Sequence, residues 1–397
     1  MSTTLIHIVS GQTMQNLLPL LALKPCRVIQ ICSNDEKIRR VARHIESAAC
    51  LAGLQPEFLI HPLDGSFPTA EAVLLAHKQI LSVFPESVVN ITGGTKLMSL
   101  GAYLGASEFH DVSILYCDTD NRQFIKVGKK ALPDAMRRFS EIASTLKVSL
   151  ILSAQGLEQG HDWKVLKASS ARIQFGAKSI EMFEKNPNSM RTIYQIINRH
   201  ANAKGGKKPD NDDLERATHQ PIPISNEPIA EAFMDAAQRV QFIVKRRQGW
   251  FFNLPANGPL AKRKDQLVKI TQQLVGGAYE GYIDAQLVKS KRFGDYLHGV
   301  MPANASEEST FGETDFLAVE ISRLSLAIIS CKSAPPSLEH LESLIARKSQ
   351  FGGNFAKAIL CIKSAEEKRA GEIRRQCRLL GIECLIGGEV SSAFRSI

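Results

Sequence analysis

The sequence predicts an α/β protein in three parts: an N-terminal doubly wound parallel sheet, a helical connector with a winged-helix-like end, and a second α/β unit at the C-terminus. Three observations carry this reading. Over residues 4–130, short apolar runs alternate with stretches of 3.6-residue period, the βαβ pattern of parallel sheets with right-handed crossovers. From residue 131 the strand signals fade and helical patterning takes over. Near residue 261 helix and strand alternate again, around a strongly apolar run at 324–331 that ends in Lys332.

The elements follow in order. Residues 4–9 read as a buried strand, 10–13 as a turn and 14–23 as a helix. A strand at 27–32 leads to Ser33-Asn34-Asp35, an N-cap cluster that opens a helix over 36–54. Strands are expected at 57–60 and 87–91, with a loop containing Asp64-Gly65-Ser66 and a helix over 70–84 between them. A fifth strand spans 112–117, and a turn at 118–121 begins a short hairpin ending near Val127. Loops at 10–13, 32–35, 61–66 and 93–96 then fall at the carboxyl edge of one sheet, where such sheets bind ligands.

In the connector, helices are expected over 133–148, 177–200 and 224–244, with a polar loop at 203–212. Lys245-Arg246-Arg247-Gln248-Gly249-Trp250-Phe251-Phe252 then reads as a basic turn into an aromatic strand. The C-terminal unit, 261–397, is expected to hold a helix over 268–288, strands at 292–298, 315–319, 324–331, 358–362 and 384–386, helices at 337–350 and 365–380, and a polar loop at 302–310.

Composition narrows the function classes. The chain has 397 residues, enough for two or three domains, with 44% hydrophobic and 22% charged content. A net charge of +9 favours an anionic partner, of which nucleic acid is the commonest. Eight cysteines without a C-x-x-C pair indicate neither a zinc site nor a disulfide framework, which suits a reducing cytoplasm. The N-terminus lacks a signal-peptide pattern, and no run of about 18 apolar residues predicts a membrane span. G-x-G-x-x-G is absent after the first strand, which argues against a dinucleotide-dependent oxidoreductase.

Two constellations carry chemistry. The first is Asn90-Ile91-Thr92-Gly93-Gly94-Thr95-Lys96-Leu97-Met98, a strand, a glycine turn and a helix start. Paired glycines let backbone approach a ligand, and amides at a helix N-terminus favour an anion. Thr95 adds a hydroxyl and Lys96 a cation. The second pairs Asp315, at the start of one strand, with Lys332, at the end of the next. With Glu280 on a preceding helix, this set suits metal-assisted phosphodiester cleavage, in which carboxylates bind the metal and lysine orients water.

Residues 90–98 resemble the signature of CRISPR-associated Rossmann-fold (CARF) domains. The Glu280 helix, Glu313-Thr314-Asp315 and Ser330-Cys331-Lys332 resemble the PD-(D/E)xK restriction-endonuclease-like fold. The order, a CARF domain over 1–130, a connector over 131–260 and a nuclease-like domain over 261–397, is similar to the CARF nucleases of type III CRISPR antiviral defence. The resemblance implies a homodimer that binds a cyclic oligoadenylate, foremost cyclic tetra-adenylate, across its two-fold axis. Gly93, Gly94, Thr95 and Lys96 would meet phosphate, Ser10, Gly11, Gln12 and Asp35 would border adenine or ribose, and Asn90 and Thr92 complete the signature. Binding would switch on an Mg2+- or Mn2+-dependent nuclease built on Asp315, Glu280 and Lys332 that cuts DNA or RNA. One position departs from the family. Its Glu-x-Lys pattern has Ser330 here, which means either a weakened site on a nucleic-acid-binding regulator or a carboxylate supplied from elsewhere. Glu342 on the following helix is the first choice, with Glu339 and Glu313 as alternatives.

Overall fold

The structure, a computed structural model, describes residues 3–64, 68–119, 121, 123–137, 139–159, 170–202, 209–255, 257–304 and 312–396. Part of the expected turn at 118–121, the Gly65-Ser66 step, most of the loop at 203–212 and residues 305–311 lie outside them.

The N-terminal unit alternates β1 (Thr4–Ile8), α1 (Met14–Leu23), β2 (Arg27–Ser33), α2 (Glu36–Leu51), β3 (Glu57–Leu63), α3 (Ala70–Val83), β4 (Ser87–Asn90), α4 (Lys96–Ser107), β5 (Ser113–Asp118) and β6 (Gln123–Lys126). The sheet order is β3-β2-β1-β4-β5-β6, parallel except for β6. The chain winds one way from β1 and the other way from β4, so the topological switch point lies between these two strands. Both are buried throughout, as the continuous apolar runs require of a parallel sheet covered on both faces.

Small residues set how α4 lies. Gly101 and Gly105 face α3 so closely that a Cβ on Gly101 would stand 2.2 Å from the Ala70 carbonyl oxygen, and one on Gly105 2.7 Å from that of Leu74. The helix therefore packs through its glycine and alanine face. Its leucines turn outward: Leu97, Leu100 and Leu104 are 61%, 49% and 42% exposed.

The next stretch departs from expectation. The helix expected over 133–148 is a 3-10 turn at Asp134–Arg137, then α5 (Phe139–Thr145) and α6 (Val148–Ala154), followed by β7 (Leu157–Gln159). α6 is buried with the cores of both sheets. α7 (Ser170–Lys185) and α8 (Pro187–Ala201) replace one expected helix, because Pro187 cannot continue α7 and instead starts α8. α9 (Asn211–His219), held by an Asp210–Asp213 capping box, starts inside the expected loop. α10 (Pro228–Arg239) precedes a hairpin of β8 (Ile243–Arg246) and β9 (Gly249–Phe252), where one helix over 224–244 was expected. Trp250 is buried in the helical core.

In the C-terminal unit, α11 (Leu260–Val275) and α12 (Gly277–Val288) break at Gly276 and bury different faces. α11 sends Leu267, Ile270 and Leu274 into the connector core. α12 packs on the second sheet through Tyr279, Tyr282 and Ile283. That sheet contains β10 (Phe293–Val300), β12 (Thr314–Glu320), β13 (Ser325–Lys332), β14 (Ala356–Ile362) and β15 (Ile382–Ile386) in spatial order, while the short β11 (Pro302–Asn304) pairs with β7. β10, β12 and β13 are antiparallel, and β13, β14 and β15 parallel. α13 (Leu338–Gly352), α14 (Glu367–Leu379) and α15 (Glu389–Arg395) complete it.

Two buried histidines make the N-terminal unit acid-sensitive. His7, on β1, is fully buried with neither ring nitrogen partnered, and burial pushes its pKa down to about 3. His77, on α3, is pushed down to about 4 by burial, against a hydrogen bond to the Val73 carbonyl. Both are neutral in the fold, so nothing is lost above the unfolded value of about 6.5. Below it the unfolded chain takes up protons that the fold refuses. Each histidine then costs about 1.4 kcal/mol per pH unit until its folded pKa is reached. Urea midpoints should fall steadily from pH 6.5 to 4.5, and His7→Val should flatten that slope. A His7→Val slope equal to the parent's would show that His7 does not report the transition.

Candidate functional site

At the β1/β4 switch point the first constellation forms a cleft of about 800 Å³. Ser10, Gly11 and Gln12 line it from the loop after β1, Asp35 from the start of α2, and Gly94, Thr95 and Lys96 from the start of α4. Three helix N-termini meet there, and each is capped by its own side chain. Asp35 accepts from the Lys37 N–H at 2.8 Å, Thr69 from Ala72 at 3.2 Å and Thr95 from Met98 at 3.3 Å. Each capped end directs further amides and the positive end of the helix dipole toward the cleft mouth.

The other three signature residues lie beneath this surface. Asn90 is fully buried; its Nδ2 donates to the Gln15 carbonyl at 2.9 Å, and its Oδ1 accepts from the Thr92 hydroxyl at 2.6 Å and the Thr92 N–H at 3.1 Å. Thr92 Oγ1 accepts in turn from the Cys117 N–H on β5 at 2.7 Å. A Cβ on Gly93 would lie 2.2 Å from the Ile8 carbonyl oxygen, so glycine is needed there to seat the turn on β1. Gly94 takes φ +83°, which swings the chain outward to Thr95 and Lys96. Asn16 was not legible in the sequence. It is buried on α1, where its Nδ2 donates to the Ile8 carbonyl at 3.0 Å.

The second constellation comes together at the edge where β12 begins and β13 ends. Ser330 Oγ donates to Asp315 Oδ2 at 3.2 Å, and the Cys331 N–H donates to the same oxygen. Burial raises the Asp315 pKa, Lys332 pulls it back, and Glu280 raises it again. Glu313 is raised by partial burial and by the Glu280 and Asp315 carboxylates. Glu280 faces His298 Nε2 at 3.6 Å. Asp284, one turn on, lies 3.1 Å from His298 Nδ1 and accepts from Tyr296 at 2.6 Å. Burial alone would lower the His298 pKa; the hydrogen bonds and charges of Asp284 and Glu280 overcome it and lift the value to about 9. His298, Asp284 and Tyr296 had no sequence signal, because β10 and α12 meet only in three dimensions.

Leu341 and Leu344 take the buried face of α13, and Glu342 is exposed. The charge that reaches Glu313 from this helix is that of Arg347. Among the described residues no three His, Cys, Asp or Glu side chains are grouped to hold one metal ion. The donor set is nevertheless of hard oxygens, and the Asp315 and Glu313 pKa values are raised by burial first and by neighbouring carboxylates second, a setting that a divalent cation would relieve.

A parallel sheet with a polar cleft at its switch point, walled by capped helix starts, defines an anion-receptive doubly wound domain. Residues 4–140 match the family model described as the Card1 CARF domain, so this stretch is similar to that domain. No curated protein matches the chain in sequence. Among solved structures it is similar to Can2 from Sulfobacillus thermosulfidooxidans in complex with cyclic tetra-adenylate, with 16% identity, 98% of this chain and 94% of that one covered, and a TM-score of 0.68. It is also similar to the Vibrio cholerae protein VC1899, with 13% identity, 98% and 95% coverage, and a TM-score of 0.72. At these identities the likeness is one of fold over the whole length. No helix among the described residues is long and apolar enough to cross a membrane.

The two glycines of the turn should differ in substitution. Gly93→Ala drives a methyl into the Ile8 carbonyl and should cost about 3 kcal/mol, the upper end for forced contacts in a packed core. Gly94→Ala pays mainly for its positive φ, about 1–2 kcal/mol. Urea unfolding of the two variants checks the order; equal losses would show that the turn does not rest on β1 as described.

Proposed function

We propose that the protein binds a cyclic oligoadenylate, foremost cyclic tetra-adenylate, in a site shared by the N-terminal cleft of two copies, and that binding controls a metal-dependent nuclease site of PD-(D/E)xK type in the C-terminal unit. The observation that carries this is the cleft itself: Thr95 and Lys96 open a helix at the switch point of a CARF domain. The structurally similar Can2 was determined in complex with cyclic tetra-adenylate. A two-fold ligand needs a second copy. The exposed Leu97, Leu100 and Leu104 stripe, which begins beside Lys96, offers an isologous surface that would bring two clefts together.

In the C-terminal unit, Asp315 and Glu280, with Glu313 as a third oxygen source, would hold Mg2+ or Mn2+. That ion would supply charge neutralisation at a scissile phosphate. Ser330 and the Cys331 amide fix one Asp315 oxygen, which orients the carboxylate. Lys332, at the end of β13, brings a cation to the same edge, where it would meet the phosphate or orient the attacking water. The basic balance of the chain suits a DNA or RNA substrate. Ser330 favours a second reading, a regulator that responds to the same ligand and binds nucleic acid with little or no cutting.

Lys96→Ala should weaken cyclic tetra-adenylate binding at least tenfold by calorimetry while leaving the melting temperature unchanged; undiminished affinity would remove the lysine from the site. With ligand and Mn2+, labelled single- and double-stranded substrates should be cut, and Lys332→Ala should abolish cutting while ligand affinity stays the same. If neither the parent nor Ser330→Glu cuts although both bind ligand, the second reading holds. Leu100→Glu with Leu104→Glu should shift the sedimentation profile from dimer to monomer; an unaltered dimer would place the interface elsewhere.

A further inference from the structure

A cavity of about 480 Å³ lies between the connector and the second sheet, where β13 and β14 end. Lys363, the residue after β14, lines it and is only 7% exposed. Its backbone N–H donates to the Lys332 carbonyl at 2.9 Å, so the cavity sits one strand away from Lys332. The Lys363 ammonium lies 3.7 Å from the Phe183 ring centre and 4.3 Å from that of Tyr194, and donates to the Tyr194 hydroxyl at 3.2 Å. Aromatic faces hold an ammonium in place without neutralising it. Among the described residues, neither Lys363 nor Arg191 has a carboxylate ion-paired to it.

Arg191 and Arg369 line the same space; Arg369 is paired with Glu372 at 2.8 Å, and Glu366 is the one carboxylate on the wall. Burial first, and then the charge of Arg191, push the Lys363 pKa down to about 7. The remaining wall comes from the loops that open α13 and α14, at the carboxyl edge of parallel strands. The start of α14, whose N-cap Glu366 borders the cavity, adds the positive end of its dipole.

We propose that this cavity binds a phosphate group, that of a nucleic-acid strand passing Lys332 or of a free nucleotide, through Lys363 and Arg191. The placement beside a cutting edge rests on the nuclease reading; phosphate binding does not. Its volume suits one nucleotide, and the missing counter-charge is what a phosphate supplies.

The experiment uses the full chain carrying Lys96→Ala, to silence the first cleft, in EDTA so that no cleavage intervenes. A fluorescent mixed-sequence 20-nucleotide single strand is titrated by anisotropy from about 50 to 200 mM salt, and AMP by calorimetry. Arg191→Ala alters an exposed side chain, and Lys363→Met keeps the packed stem. Each should weaken strand binding about tenfold and lower the slope of log K against log salt by about 0.7 per lost contact. A loss confined to AMP supports the site with a free nucleotide as its source. Unchanged strand and AMP binding in Arg191→Ala, with an unaltered melt, overturns the proposal even if Lys363→Met fails to fold. A positive result in EDTA stands whether or not the chain cuts nucleic acid, so the two readings fail separately.

Discussion

The seven residues of α6 tie the two sheets together, and the rest of the molecule depends on that tie. Val148, Leu150, Ile151 and Leu152 are buried in one continuous core that holds Leu17, Leu18 and Val28 from the first unit and Leu317, Val319 and Leu341 from the last. So short a helix does not stand alone; burial on both sides holds it. Its ends are bound to opposite partners. Asp295, on β10, accepts from the Val148 N–H at 2.9 Å, and Gln155, just past the last turn, donates to Thr13 Oγ1 at 2.8 Å. Thr13 follows the Ser10-Gly11-Gln12 loop of the cleft, and β10 carries His298 beside Glu280. Loop and acidic edge thus border one shared packed element.

A second route of contact runs through glycine. Gly176 on α7 and Gly281 on α12 meet so closely that a Cβ on Gly176 would stand 2.5 Å from the Gly281 carbonyl carbon. The residue beside Gly281 is Glu280, and Asp284 lies one turn away. The connector therefore presses backbone to backbone on the helix that supplies the acidic site. The same device fixes α4 against α3, where it has the opposite consequence for side chains. Close approach through Gly101 and Gly105 leaves the leucines no core to enter, so the helix keeps an exposed apolar face.

What the sequence made legible follows from how each signal is encoded. Strands buried on both faces write themselves as apolar runs, and the first unit has mostly such strands, so its order and its helices were readable to within a few residues. The glycine turn was readable because backbone geometry demands particular residues at particular steps. The connector was not, because one helical period can run across a break. The period passes through Asn186-Pro187 and through Gly276 without interruption, while the two halves bury different faces. In the site, Lys96, Thr95 and Gly94 line the cleft, but Asn90, Thr92 and Gly93 hold up the turn from below. A motif cannot distinguish residues that meet a ligand from residues that place them. Asn16 and His298 carried no local signal, since their partners are strands far off in the chain.

The acidic edge is best understood as a charge balance. Glu280, Asp284, Glu313 and Asp315 face His298 and Lys332. Asp284 is satisfied by His298 and Tyr296, whereas Glu280 reaches the imidazole only at 3.6 Å. Glu280 is thus the carboxylate most easily drawn to another cation. Ser330 matters here for what it does not add. A glutamate at 330 would remove the Ser330 donor and set a further negative charge against Asp315 Oδ2, leaving that oxygen the Cys331 N–H. With serine, the neighbour donates instead, and Asp315 is steadied rather than repelled. Serine adds no negative charge at this position, and its hydroxyl helps to orient the Asp315 carboxylate.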